Sequence, residues 1–185
     1  NIAIVGKYVD IGDYSLADSY MSINQSLAHA AANLRVKLRI TWVDSKRFEK
    51  HPEELKELSQ FNGIIVPGGF GSSGVEGKIK SIQYAREHDI PYLGLCYGMQ
   101  LATIEFARNV CGMKDANTTE VDLKTEHPVI TILESQKKAM EQGQFGATMR
   151  LGAYAAVLKE GSLVQKLYKE KRLEKDTERL KELRK

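Results

Sequence analysis

Apolar and polar positions along the first 110 residues fall into two alternating spacings. Short apolar runs that stop at glycine or proline indicate buried strands, while apolar residues three or four positions apart indicate helices. Alternating strands and helices predict an α/β fold, with a mostly parallel sheet covered by helices on both faces. Strands are predicted over residues 2–5, 36–42, 63–66 and 91–95, and helices over 20–31, 51–60, 79–85 and 100–110, the first capped by Asp18 or Ser19.

The pattern changes after residue 115. Two apolar runs predict strands over 128–133 and 153–158, which we expect to be antiparallel additions near the C-terminus. Residues 169–185 predict a strongly charged helix with Leu173, Leu180 and Leu183 on one side. Such a helix is either solvated or paired with a partner helix through its leucines. The sequence thus predicts one domain over 1–168, followed by a charged C-terminal helix over 169–185.

The net charge of +3 is confined to that terminal helix. Of the 27 basic and 24 acidic residues, 8 and 5 lie in 169–185, so the preceding 168 residues carry 19 of each. A neutral body argues against a broad basic face for nucleic acid. With 42% hydrophobic and 28% charged residues, the composition is typical of a globular domain.

Targeting signals and metal motifs are also lacking in the sequence. No run approaches the roughly 18 apolar residues of a membrane-spanning helix, and no basic leader with an apolar core opens the chain. Two cysteines, at positions 96 and 111, make neither a disulfide scaffold nor a four-ligand zinc site. We therefore expect a cytoplasmic protein that binds no metal in this domain and associates with no membrane.

Cys96 lies at the end of a predicted strand and directly before a predicted helix. Gly94 and Gly98 stand two residues to either side, which is the spacing of a strained strand-to-helix turn that exposes a nucleophile. The N–H groups of the helix N-terminus favour a thiolate and stabilise an oxyanion. The alternative is that Cys96 is a small buried side chain. The flanking glycines favour the nucleophile, whereas Cys111, followed by the helix-capping residue Gly112, is predicted to be structural and buried.

A glycine loop, residues 67–74, follows the strand 63–66 and precedes a helix. Gly69, Gly71 and Gly74 match the G-x-G-x-x-G pattern of dinucleotide sites. That interpretation also needs an acidic residue at the tip of the next strand, where this chain has Cys96. A turn without a ligand is a second interpretation. We favour a third, in which backbone N–H groups of the loop complete an oxyanion site for Cys96.

Several segments resemble the class I glutamine amidotransferase domain of the CTP synthase family. The resemblance covers residues 1 to about 168. It implies a glutaminase that binds L-glutamine and releases ammonia, without a cofactor in this domain. An attached synthetase domain would use the ammonia with ATP and Mg²⁺ to aminate UTP to CTP, in a homo-oligomer. The matching segments are IAIVGKY (2–8), WVDS (42–45), PGGFG (67–71), GKIKSIQYAR (77–86), IPYLGLCYGMQLATIEFARNV (90–110), KDANTTEVD (114–122), HPVI (127–130) and TMRLGAY (148–154).

The resemblance assigns roles position by position. Cys96 corresponds to the nucleophile that forms a glutamyl thioester, and the N–H groups of Gly69 and Tyr97 correspond to the oxyanion hole. Glu120 is suited to hold the α-ammonium of glutamine, although the residue alone reads as a solvated carboxylate. Tyr97 stands where the family often has Leu, which would alter the pocket mouth. The implied glutamine pocket comprises Gly69, Phe70, Tyr97, Gly98, Gln100 and Glu120.

The sequence departs from the family at the catalytic base. The family places a His and a Glu in a downstream His-x-Glu segment, but no histidine follows His127, and His29, His51 and His88 have ordinary helical or capping explanations. The basic stretch that supplies an Arg for the glutamine carboxylate is missing too. Omitted segments, a truncated chain or a degenerate glutaminase would each explain this. The degenerate alternative is a regulatory or scaffolding module that binds glutamine or a partner without turnover.

Overall fold

A computed structural model describes residues 1–6, 20–69, 71–132 and 157–168, and its centre is a four-stranded parallel sheet. The strand order is β2-β1-β3-β4, so β1 lies between β2 and β3. Ile4 of β1 pairs with Trp42 on one side and Ile65 on the other, and Ile65 in turn pairs with Leu93 of β4. The predicted parallel sheet is confirmed. The strands are β1 (Ile2–Gly6), β2 (Ile40–Asp44), β3 (Gly63–Val66) and β4 (Tyr92–Gly94).

A helix follows each strand of the sheet, and one of these helices, α2 (Ser45–Lys50), was not predicted from the sequence. In α2 the carboxylate of Asp44 caps the helix by accepting the Lys46 N–H at 2.9 Å. Pro52 begins the segment predicted as a charged helix, which forms a 3₁₀ helix. The residues proposed as the cap of the first helix lie outside the described residues. The helices are α1 (Met21–Leu34), α2 (Ser45–Lys50), the 3₁₀ helix Pro52–Gln60, α3 (Val75–Glu87) and α4 (Tyr97–Asn109).

The core surrounds the two innermost strands. Ala3, Ile4 and Val5 are consecutive and completely buried. Because successive strand residues point to opposite faces, both faces of the sheet are covered. Helix α4 contributes Leu101 and Ile104, which are also completely buried.

The second strand is shorter than its hydrophobic alternation predicts. It begins at Ile40, while Val36 is 57% exposed and lies outside the sheet. Among the described strands β2 pairs with β1 alone, and only Val43 of its five residues is fully buried. Apolar side chains in an outer strand gain less burial than those in a central strand. The apolar residues at 36 and 38 therefore do not extend β2.

Two short strands, β5 (Asn117–Thr118) and β6 (Pro128–Ile130), form a separate pair. We expected antiparallel strands here, whereas β5 and β6 pair in parallel. Asp115 explains the direction, because it precedes β5 and its carboxylate accepts the Glu126 N–H at 2.8 Å and contacts the His127 ring at 2.6 Å just before β6. Holding both strand starts together places the strands side by side in the same direction. Of the predicted strand 153–158, residues 157 and 158 are not in a strand and the rest lie outside the described residues.

A second unit comprises residues 133–185. Its described part contains α5 (Leu163–Tyr168), and the charged segment 169–185 with its three leucines lies outside the described residues. The domain boundary after residue 168 stays a prediction. None of the helices in the described ranges is long and apolar enough to cross a membrane.

An ion pair joins α3 to α4 below the surface. The guanidinium of Arg86 donates to both carboxylate oxygens of Glu105, at 2.8 to 3.1 Å, and Asn109 donates to the same carboxylate at 3.0 Å. The Glu105 side chain is only 2% exposed, whereas that of Arg86 is 35% exposed. The Glu105 carboxylate is thus shielded from water, and both of its oxygens accept hydrogen bonds from protein side chains.

Candidate active site

Cys96 occupies a strained backbone conformation between β4 and α4. Its φ of 53° and ψ of −107° are rare for a residue with a side chain. The residue is the N-cap of α4, and its side chain is exposed with a free thiol. Such strain persists only where the surroundings impose it. The predicted strand-to-helix turn is therefore present, and the alternative of a buried cysteine is wrong.

Two glycines allow this turn to close. A Cβ on Gly94 would lie 2.7 Å from the Gly98 carbonyl carbon and from the Met99 nitrogen, so the two arms of the turn touch. A Cβ on Gly98 would collide with the carbonyl oxygen of Val66, at the end of β3. A side chain at position 94 would push the two arms of the turn apart, and one at position 98 would push α4 away from β3.

The glycine loop comes from the end of β3 and passes next to Cys96. A Cβ on Gly68 would lie 3.4 Å from the Cys96 Cβ and 3.9 Å from its Sγ. Within the described part of the chain, the N–H groups of Gly69 and Tyr97 donate no hydrogen bond, as expected for Tyr97 at the first position of a helix. Both N–H groups therefore keep their capacity to donate a hydrogen bond within the described part of the chain.

The Tyr97 side chain points at the glycine loop. Its ring is 2% exposed, and its hydroxyl donates to the Gly71 carbonyl at 3.1 Å. The Gly71 N–H donates to the exposed carboxylate of Glu120 at 2.6 Å. Burial, with a smaller contribution from the Glu120 charge, raises the pKa of Tyr97 to about 12. The phenol is therefore a hydrogen-bond donor at any physiological pH.

Lys78 is a buried cation beneath the loop that the sequence analysis did not select. It is 1% exposed, and its Nζ lies 5.8 Å from the centre of the Tyr97 ring, in cation–π range. A Cβ on Gly69 would lie 3.8 Å from this Nζ and 4.0 Å from the Tyr97 ring. The signal was present in the sequence, because Lys78 occupies a place in the apolar stripe of α3 that otherwise holds Val75, Ile79 and Ile82.

The other predicted site residues have mixed outcomes. Gln100 is half-buried in the first turn of α4, where its N–H donates to the Cys96 carbonyl at 3.2 Å. Phe70 lies outside the described residues. Cys111 was predicted to be buried, but it is a free, exposed cysteine. The reason is that α4 ends at Asn109, and the chain turns outward through Gly112, whose φ is 75°.

The four histidines lie in the local settings that the sequence suggests. His29 is exposed on α1, and His51 lies between α2 and the 3₁₀ helix with its ring 3.2 Å from Glu53. His88 caps α3 and stacks on Tyr84. His127 contacts Asp115. Among the described residues, no group of three or more His, Cys, Asp or Glu side chains is placed to hold a metal ion.

Comparison with known proteins decides the family. Residues 15–178 match the sequence profile of Glutamine amidotransferase class-I. The chain belongs to this family. The parallel sheet flanked by helices matches the α/β fold of this family.

This amidotransferase chain is similar to curated CTP synthases. It is 54% identical over 167 residues to the CTP synthase of Sulfolobus acidocaldarius, covering 90% of this chain and 30% of that protein. For the CTP synthase of Methanocaldococcus jannaschii the identity is 53% over 174 residues, again 90% of this chain and 30% of that protein. The chain thus spans about 30% of the length of these relatives.

A solved structure is similar to this chain as well. The glutaminase domain of Trypanosoma brucei CTPS with bound acivicin is 44% identical and superposes with a TM-score of 0.65. The similarity covers 72% of this chain and 50% of the other. The superposition supports a shared fold.

Proposed function

We propose that this amidotransferase chain is the glutaminase part of a CTP synthase and that Cys96 is its nucleophile. The observation that carries the proposal is the exposed thiol in a strained turn, with the glycine loop packed against it. The turn aims the thiol outward, and the loop adds a donor beside it. The similarity to CTP synthases over 90% of the chain supports the choice within the family.

The geometry supports acyl transfer through a thioester. The Cys96 thiolate attacks the side-chain carbonyl carbon of L-glutamine, and the resulting oxyanion accepts hydrogen bonds from the Gly69 and Tyr97 N–H groups. The carbonyl re-forms as the C–N bond breaks, and the nitrogen takes a proton and leaves as ammonia. Water then cleaves the thioester, which releases glutamate and restores the thiol. The net reaction consumes glutamine and water and yields glutamate and ammonia.

Recognition of the substrate falls to residues around the turn and the loop. Glu120 is exposed and lies within hydrogen-bond distance of Gly71, so its carboxylate can take up the α-ammonium of glutamine at the edge of the loop. Gln100, Gly98 and Phe70 complete the proposed pocket.

The ammonia has a consumer in the proposed whole protein. In a CTP synthase, a synthetase domain activates UTP with ATP and Mg²⁺ and takes ammonia from the glutaminase. We propose the same partnership here, in a cytoplasmic homo-oligomer, and we assign no cofactor to the glutaminase part itself.

Turnover also needs a general base to take up and deliver protons. The family uses a His-x-Glu segment for this, but no histidine follows His127 in this sequence, and His51, His88 and His127 engage local partners. A full-length protein that also lacks this segment would have the second candidate function, a glutaminase-like module that binds glutamine or a partner without turnover.

Labelling with a chloroketone analogue of glutamine tests the nucleophile. Cys111 serves as an internal control, because it is also free and exposed but lies outside any strained turn. We expect mass spectrometry of the complete protein to find the label on Cys96 alone, with protection by excess L-glutamine. Preferential labelling of Cys111, or full glutaminase activity in a Cys96→Ser variant, would overturn the proposal.

Glutamine hydrolysis by the same preparation separates the two candidate functions. A glutaminase is labelled and also turns over glutamine, whereas the module is labelled without turnover. Loss of one member of a catalytic triad commonly reduces turnover by about 10⁴-fold. The difference between the two outcomes is thus large enough to measure in a simple ammonia assay.

A further inference from the structure

We infer that the Tyr97 side chain is a positioning residue, whose hydroxyl holds the glycine loop so that the Gly69 N–H faces the carbonyl oxygen of the substrate. The inference rests on the proposed function of Cys96 as a glutaminase nucleophile. It concerns the phenol of Tyr97, and it is separate from the oxyanion role of the Tyr97 backbone.

The position of Tyr97 in the chain makes it a link between the two oxyanion donors. It directly follows Cys96 and is the first residue of α4, so its own N–H lies at the nucleophile. Its hydroxyl reaches across to the Gly71 carbonyl at 3.1 Å. Tyr97 therefore supplies one of the two donors through its backbone N–H. Its side chain holds the loop at Gly71, two residues after Gly69, which supplies the other donor.

Packing below the loop keeps the Tyr97 ring in place. The ring is buried, and Lys78 of α3 lies 5.8 Å from its centre. The loop passes close to both residues, since a Cβ on Gly69 would lie in van der Waals contact with each, at 3.8 and 4.0 Å. The ring is enclosed by α3 and the loop, so the hydroxyl has little freedom to turn away from Gly71.

Gly71 is held on both of its polar groups by side chains from other elements. Tyr97 binds its carbonyl and Glu120 binds its N–H at 2.6 Å. The residue has a φ of 75°, which glycine adopts without strain. Glu120 is the proposed acceptor for the α-ammonium of glutamine, so its bond to the loop is shared with the substrate. The bond from Tyr97 is then the one that holds Gly71 throughout the reaction.

Removal of the hydroxyl by Tyr97→Phe in the complete protein tests the inference. The matched control is Tyr84→Phe, which deletes the same hydroxyl from a ring that stacks on His88 and, among the described contacts, donates no hydrogen bond. Two reagents report on different features of the site. The iodoacetamide rate measures the reactivity of the Cys96 thiol alone. The rate with the glutamine chloroketone depends on that reactivity and also on how well the loop positions the carbonyl of the chloroketone.

We expect Tyr97→Phe to lower the chloroketone rate about tenfold while the iodoacetamide rate stays within twofold. Deletion of a whole oxyanion donor costs about 10²- to 10³-fold in kcat, so a displaced donor should cost less. In glutamine hydrolysis, kcat should fall about tenfold with KM within twofold of the wild type. Tyr84→Phe should match the wild type in both rates.

Equal chloroketone-to-iodoacetamide rate ratios in Tyr97→Phe and the wild type would overturn the inference. Absence of chloroketone labelling in the wild type would instead overturn the proposed function, so the two failures are distinguishable. If Tyr97→Phe does not fold, difluorotyrosine at position 97 replaces it, since it keeps the ring and the hydroxyl but ionises at lower pH. The chloroketone rate, relative to iodoacetamide, should then fall as this phenol ionises, and an unchanged pH profile would contradict the inference.

Discussion

Gly98 faces the carbonyl oxygen of Val66 so closely that a Cβ at position 98 has no place to go. The same carbonyl accepts the Leu95 N–H at 3.0 Å. The end of β3 is therefore in contact with both arms of the turn around Cys96, one by a hydrogen bond and the other by direct packing. The backbone geometry at Cys96 depends on this contact.

A methyl group at position 98 should separate these elements. We expect Gly98→Ala to lower the free energy of unfolding by about 3 kcal/mol, because the clash is with backbone and cannot be relieved by a rotamer change. Gly112→Ala is the matched control, since Gly112 has a positive φ but no neighbour within 4 Å of its Cβ position. It should cost only about 1 kcal/mol. Equal losses in urea denaturation would contradict the packing argument.

Charge at Glu120 should control substrate affinity. Glu120→Gln keeps an oxygen that accepts the Gly71 N–H but removes the negative charge offered to the α-ammonium. We expect KM for glutamine to rise about tenfold, because a hydrogen bond to a charged group contributes about 1.5–3 kcal/mol. Glu126→Gln, a neutralisation in the loop before β6, should leave KM unchanged. An unaltered KM in Glu120→Gln would remove Glu120 from the substrate site.

The ion pair between α3 and α4 should matter far more than a surface pair. Arg86→Met leaves the buried Glu105 carboxylate without its main partner, and we expect a loss of about 2 kcal/mol, below the usual range for buried pairs because Arg86 is partly exposed. Arg47→Met breaks the exposed contacts to Glu54 and Glu57 and should cost under about 1 kcal/mol. Guanidinium denaturation of both variants checks the contrast, and similar losses would refute it.

Acid should weaken the connection between β5 and β6. The hydrogen bond from His127, and secondarily the Glu126 N–H, lowers the pKa of Asp115 below its usual 3.8. A carboxyl with a lowered pKa stabilises the fold above its unfolded-state pKa, and the contribution disappears as pH falls through the folded-state value. Asp115→Asn should therefore lower Tm at about pH 6 but match the wild type near about pH 2.

A comparison variant isolates the role of the histidine. Asp122→Asn alters a half-buried aspartate that accepts the Lys124 N–H at 2.8 Å, and no histidine ring contacts it among the described residues. Its Tm difference from the wild type should vary less with pH. If the two variants show the same pH dependence, His127 is not the cause.

The sequence predicted the structure well where a pattern reflects one local cause, such as the burial of a strand or the steric demands of a tight turn. The apolar runs of β1 and β3 are buried on both faces, and the Gly94–Cys96–Gly98 spacing describes a steric need that only a tight turn has. The resemblance to the amidotransferase family added the expected role of the glycine loop. These predictions needed no knowledge of distant contacts.

The features that were missed depend on contacts between distant segments. The parallel direction of β6 comes from Asp115, which lies outside both strands, and the exposure of Cys111 depends on where α4 ends. Lys78 and the Tyr97 hydroxyl act through the loop 67–74, whose path over α3 is fixed by tertiary packing. Local periodicity carries no information on such pairs, although a lysine within an apolar stripe was a visible exception.

The central place of β1 bears on the order in which the protein can fold during synthesis. β1 precedes both of its neighbours in the chain, and these neighbours, β2 and β3, end at Asp44 and Val66. The turn at Cys96 needs the Val66 carbonyl on one side and Gly98 of α4 on the other, so it closes only after α4 has left the ribosome. A nascent chain therefore carries Cys96 as an ordinary thiol. Cys96 takes its strained backbone conformation once the sheet that bears the strain is assembled.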